Sequence, residues 1–144
     1  MPDKLTFIAL NEFNRELLKA VSELLPKDNY LSRLMDLKLV ESTTDDTLDS
    51  DFLEPWVQWV SIQTGTPATV HGIKNLGDIP NLNHPQIWEL LSKDGKSCDN
   101  WGATNTSQGA ANYCKFLIPD PWLLDAPPFL NKFRKFFWIK KIST

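Results

Sequence analysis

Residues 4–26 read KLTFIALNEFNRELLKAVSELLP, and the change of pattern inside this stretch decides the fold class. Lys4 to Leu10 is a mostly apolar run with no polar helical face, the pattern of a buried strand. It ends at Asn11, a good N-cap. From there Phe13, Leu17, Leu18, Val21, Leu24 and Leu25 recur at three- and four-residue steps. That spacing predicts an amphipathic helix stopped by Pro26. A second short helix is expected over Tyr30 to Leu37, with Leu31, Leu34, Met35 and Leu39 inward. Strand, loop, helix is the opening of a parallel βαβ unit. The sequence therefore predicts an α/β fold, a partly parallel sheet flanked by helices, as a single domain over residues 1–144.

Working outward, Glu41 to Glu54 holds six acids and no base, and reads as a solvated loop or an edge strand. Glu54-Pro55-Trp56 is a helix start, with an acid beside the positive end of the dipole and proline in the first turn. The helix Pro55 to Gln63 carries Val57, Val60 and Ser61 on one side and Trp56, Trp59 and Gln63 on another, so it is expected to be buried. Gly65 can take the left-handed C-cap. His84 to Lys93 predicts another helix, with Pro85 in its first turn, His84 as a cap and Gly95 as its stop. Strands are expected from Cys98, running out into a loop by Asn105, and over Lys115 to Ile118. A rigid Pro119-Asp120-Pro121-Trp122 turn follows the second. From Phe129 onward, Phe133, Phe136, Phe137 and Ile139 sit at helical spacing.

Composition narrows the function classes. The chain has 144 residues, a net charge of -3, six tryptophans, ten prolines and two cysteines. No apolar run approaches the roughly 18 residues of a membrane span, and MPDKLTFIAL does not read as a signal peptide. Cys98 and Cys114, too few for a disulfide scaffold, fit thiols in a reducing compartment, so a cytoplasmic location is expected. Five bases and no acid lie in the tail from Phe129. A core-packing helix with a solvated basic edge explains them better than a nucleic-acid or membrane surface, so no nucleic-acid partner is expected.

Few residues suit chemistry. There is no phosphate-binding glycine loop, dinucleotide fingerprint or nucleophile elbow. The cysteines stand sixteen positions apart without paired partners, which argues against structural zinc. His71 and His84 are too few for a histidine-rich metal site. Two places remain. Asn11-Glu12 follows the first expected strand, where α/β folds bind ligands. There Glu12 either reaches a metal or substrate or serves as a helix N-terminal acid. The N-terminus of the Pro55 helix could hold an anion, although Glu54 would repel one unless a metal intervened, and Glu54 reads equally as a capping acid.

The block from Glu54 to Ile73, EPWVQWVSIQTGTPATVHGI, resembles the nucleophile-bearing helix and following turn of the alkaline phosphatase superfamily, which includes phosphodiesterases, nucleotide pyrophosphatases and sulfatases. Thr64-Gly65, Pro67 and His71-Gly72-Ile73 carry the likeness. Phe7 to Glu12 is similar to the first strand ending in a metal-binding acid, Ile87 to Lys96 to the next helix and its turn. Pro119 to Trp122 is similar to a segment of an uncharacterised bacterial branch. The resemblance implies a hydrolase of phosphate, phosphodiester or sulfate esters, with a divalent metal such as zinc or manganese held by Glu12 and Asn11, and Glu54 near the reacting group. It also has departures. Asn11-Glu12 replaces the family's Asp-Gly, and the nucleophile position, nine residues before Thr64, is Pro55, which cannot attack. Thr47 and Ser50 are upstream hydroxyls without a spacing argument. The family's remaining Asp and His ligands come from much farther along a longer chain. The resemblance thus covers an N-terminal portion and implies a truncated or split relative, partnered by a C-terminal half or a second copy. The alternative is a non-catalytic homologue that binds a partner through a tryptophan-rich surface.

Overall fold

The computed structural model describes residues 4–44 and 52–120. Thr47, Ser50, Trp122 and the basic tail lie outside the described residues. The chain divides into two compact units, Met1–Asp45 and Asp46–Thr144.

In the first unit, Lys4 to Leu10 is extended but forms no strand, and every residue of it is exposed. The expected buried strand is therefore corrected. The sole sheet among the described residues is two-stranded and lies in the other unit, so the apolar run has no ladder to join. Helix α1 spans Arg15–Glu23 and begins later than expected, because Asn14 rather than Asn11 is its cap. The Asn14 side chain accepts the Leu17 N–H at 2.9 Å. Helix α2, Tyr30–Met35, starts in the same way, with the Asn29 Oδ1 accepting the Ser32 N–H at 2.9 Å. The two helices touch, yet neither contains a buried residue.

The second unit carries the core. Helix α3, Pro55–Thr64, forms where the sequence places it: Pro55 needs no hydrogen-bond donor in the first turn, and Gly65 closes the helix at φ 63°. It buries Val57, Val60 and Gln63, whereas Trp56 and Trp59 are half-buried. A short helix α4, Ala68–His71, ends at Gly72, and a 3₁₀ turn covers Ile79–Asn81. Helix α5, Ile87–Lys93, starts at Gln86 rather than at His84, because Gln86 and Glu89 form a reciprocal capping box.

Strands β1, Cys98–Trp101, and β2, Cys114–Ile118, pair in parallel. A parallel pair needs a crossover of about a dozen residues. Here that connection is the turn-rich segment from Gly102 to Tyr113 rather than a helix. The register runs Cys98 to Cys114 and then Asn100 to Leu117, so β2 bulges by one residue. The Asp99 carboxylate accepts the Lys115 and Phe116 N–H groups at 3.1 and 3.2 Å, which satisfies the amides at the bulge. Helices with a small parallel sheet agree with the α/β class.

Two apolar clusters fill this unit: Trp88, Ala111, Cys114 and Leu117 with Cys98 against them, and Val60, Ile73 and Ile79 with Leu82. Tryptophans do not all serve as core. Trp88 is buried, but Trp101 is exposed and meets Phe116 in a T-shaped ring contact.

Candidate functional site

Polar side chains gather where α3, the start of α5 and the crossover segment meet. Gln86 is fully buried, and its amide nitrogen donates to Gln63 Oε1 at 2.8 Å and to the Asn105 carbonyl at 3.0 Å. Its oxygen accepts the Ser107 N–H at 3.0 Å. The Gln63 amide in turn donates to the Thr104 carbonyl at 3.0 Å. Each amide nitrogen faces a carbonyl and each amide oxygen a donor, which fixes both side-chain orientations. Asn105, also fully buried, donates from its side chain to the carbonyls of Trp56 and Asn75 at 3.1 and 3.3 Å. Its N–H donates to the buried Asp120 carboxylate at 2.8 Å. Sequence reading missed this junction. Gln63, Gln86, Asn105 and Asp120 come from four distant places, and no spacing rule links them.

The motif-derived histidine has a definite chemical state. His71 Nδ1 accepts the Ile73 N–H at 3.1 Å, so the ring proton of the neutral imidazole sits on Nε2. Nε2 lies 3.0 Å from Ser61 Oγ and therefore donates to it. A general base must accept the hydroxyl proton. The Ser61–His71 pair thus braces α3 against α4 and does not activate a nucleophile.

The residues singled out from the sequence fall in different units. Asn11 and Glu12 belong to the first unit, both exposed, with Glu12 in a left-handed turn at φ 53°. Glu12 is not a helix N-terminal acid, since Glu16 occupies the first turn of α1. Glu54 belongs to the second unit, exposed at the N-cap of α3, where its carbonyl accepts from Val57 and Gln58 but its side chain makes no capping bond. Pro55 fills the first turn. Among the described residues no three His, Cys, Asp or Glu side chains converge. One carboxylate and one amide at Asn11-Glu12 do not fit the ligand demand of a divalent cation.

Two shallow depressions flank α5. One, of about 260 Å³, is lined by Leu82, His84, Pro85, Glu89 and Ser107 among others. The other, of about 360 Å³, is lined by Glu89, Leu90, Lys93 and Asn112 among others. Both are open to solvent and lack the enclosed apolar walls of a small-molecule site.

The feature of the first unit that physical chemistry cannot leave alone is its exposed apolar surface. Leu5 is 89 % exposed, Phe7 72 %, Ile8 73 % and Leu10 53 %. Comparison with protein-family models, with curated proteins and with solved structures finds no match to this chain.

Proposed function

We propose that this chain is a binding module that engages another polypeptide through the extended segment Leu5 to Leu10. The observation that carries this reading is the exposure of Leu5, Phe7, Ile8 and Leu10 along a stretch that forms no helix, turn or strand. Burying one such side chain contributes about 1.5–3 kcal/mol, so covering several offsets a substantial ordering cost. Extended backbone without a strand partner among the described residues suits addition to an open sheet edge, where main-chain hydrogen bonds supply affinity and side-chain pockets supply selectivity. A second copy of the chain is the partner most easily examined. Sedimentation of the full chain over a range of concentrations is expected to show self-association that the double substitution F7D/I8D abolishes. A monodisperse monomer at every concentration, with its Leu5 to Leu10 amides protected from exchange, would sink the idea.

Ester hydrolysis is the second reading, and the motif order supports it. Glu12 presents an exposed carboxylate two residues after the apolar run ends at Leu10, and Gly65 and Gly72, within the Thr-Gly and His-Gly motifs, cap their helices in the left-handed region. An alkaline phosphatase-like ancestry would make Glu12 and Asn11 the remnant of a zinc or manganese site and Glu54 the group nearest a phosphate or sulfate ester. Pro55 at the nucleophile position and the incomplete donor set leave no derivable catalytic step. Turnover of an aryl phosphate, phosphodiester or sulfate by the full chain with added zinc or manganese, lost in Glu12→Gln, would favour it over the binding module. Absence of turnover in all three assays removes it.

A further inference from the structure

The two cysteines, sixteen positions apart in the chain, are register partners across the parallel pair β1–β2. Neighbouring strands lie about 4.7–4.9 Å apart. That separation falls inside the roughly 4.4–6.8 Å between the α-carbons of a disulfide. Directly paired residues of parallel strands project to the same face. Accordingly the Cys98 and Cys114 side chains pack in one cluster with Trp88, Ala111 and Leu117. Both are free thiols, Cys98 half-buried and Cys114 buried. Cys98 Sγ donates to the Trp88 carbonyl at 3.6 Å, and Cys114 Sγ to that of Phe116 at 2.9 Å.

We propose that Cys98 and Cys114 form a redox site that closes into an intrachain disulfide by exchange with a small-molecule disulfide and reopens with thiol reductant. The Cys98 thiolate attacks one sulfur of the small disulfide, whose S–S bond breaks and releases the first thiolate. The Cys114 thiolate then attacks Cys98 Sγ of the mixed disulfide, forming the intrachain S–S bond and expelling the second thiolate. The two cysteine protons end on the two released thiols. The cysteine pair loses two electrons and the small disulfide gains them. Cys98 is the entry point because it is the more exposed of the two.

A metal is the weaker use of the same pair. Soft structural cations require about four ligands, and no third His, Cys, Asp or Glu joins the two thiols among the described residues. Burial raises the Cys98 thiol, with the Asp99 charge adding to the rise. Burial, then the neighbouring Cys98 and Asp99, pushes Cys114 up to about 12. Both groups therefore rest as thiols near neutrality, and exchange is slow there and speeds up at mildly alkaline pH as the thiolate fraction grows. The bridge would pin both ends of the crossover segment, which carries Asn105 and Ser107 into the buried junction.

The test is equilibration of the native full chain in mildly alkaline glutathione buffers, followed by acid quench, alkylation and mass analysis. The expected product has lost two hydrogens, resists alkylation, yields one peptide pair joined through Cys98 and Cys114, and reverts with dithiothreitol. Native geometry must favour closure, so half-oxidation should occur at a ratio of squared reduced to oxidised glutathione at least about tenfold higher than for the urea-unfolded chain. Cys98→Ser, at the half-buried position, should give no intrachain bridge while its helical circular dichroism persists. Two alkylatable thiols in excess oxidised glutathione, a stable glutathione adduct at Cys98, or an equal or lower ratio than the unfolded chain would each overturn the proposal.

Discussion

Asn105 shows what one buried amide does in this chain. It takes φ 54°, a region that costs most L-residues about 1–2 kcal/mol, and asparagine is among the few that visit it readily. Its side chain ties the first turn of α3 to the Asn75 loop while its N–H meets Asp120. Asn105→Ala removes both side-chain bonds and keeps the strained φ, for an expected loss of about 3 kcal/mol in urea unfolding. Asn105→Gly loses the same bonds without the strain and should cost about 1 kcal/mol less. Equal costs would mean the backbone relaxes out of the left-handed region. Asp78 makes a pH-dependent counterpart. Burial raises its carboxyl, but hydrogen bonds from the Asn75 and Lys74 N–H groups and the Asn75 side chain outweigh burial and hold it below its ordinary 3.8. A depressed folded-state value gives stability that is fully present above pH 3.8 and is lost as pH falls through the folded value. Relative to Asp78→Asn, the native chain should keep a constant stability advantage above about pH 4 that shrinks on further acidification. An advantage unchanged at strongly acid pH would contradict the assignment.

At the scale of elements, two glycines with positive φ separate two physical causes. Gly65 stands at φ 63° in the C-cap of α3, and a β-carbon there would meet nothing within 4 Å. Gly65→Ala should therefore cost only the conformational term, about 1 kcal/mol. Gly109, at φ 47°, lies where a β-carbon would run into the Glu89 carboxylate. That carboxylate accepts the Gln86 N–H, closing the α5 capping box, and the Ala110 N–H, both at 2.8 Å. Gly109→Ala adds loss of those bonds to the strain and should cost at least about 2 kcal/mol in the same urea titration. Element identity was legible where local chemistry dominates, as in α3 with Pro55 and Gly65, or in β2 over its apolar residues. The Lys4–Leu10 strand was not, because a strand exists only through a partner and its own composition cannot supply one. The cysteine pair was hidden for a related reason. Register across β1 and β2 depends on a crossover and a bulge, neither of which a sixteen-residue spacing encodes. The polar junction of Gln63, Gln86 and Asn105 left no periodic trace at all.

Across the whole chain the two units differ in kind. The second has two apolar clusters and a buried amide network, whereas none of residues 4–44 is buried. Isolated helices shorter than about 12–15 residues are marginal in water, and α1 has nine residues and α2 six. Their caps at Asn14 and Asn29 each contribute about 1 kcal/mol, too little to replace a core. Amides of α1 and α2 should accordingly exchange with deuterium through local opening, while those of α3 and β2 should exchange only on global unfolding of their unit. Dilution discriminates the causes of any protection found in the first unit. If Leu5 to Leu10 and the exposed faces of α1 and α2 meet another chain, protection there should rise with protein concentration and vanish in F7D/I8D. Protection in α1 as strong as in β2 at every concentration would show that the first unit has a core of its own. The binding reading would then lose its physical basis, because the apolar side chains that motivate it would already be covered.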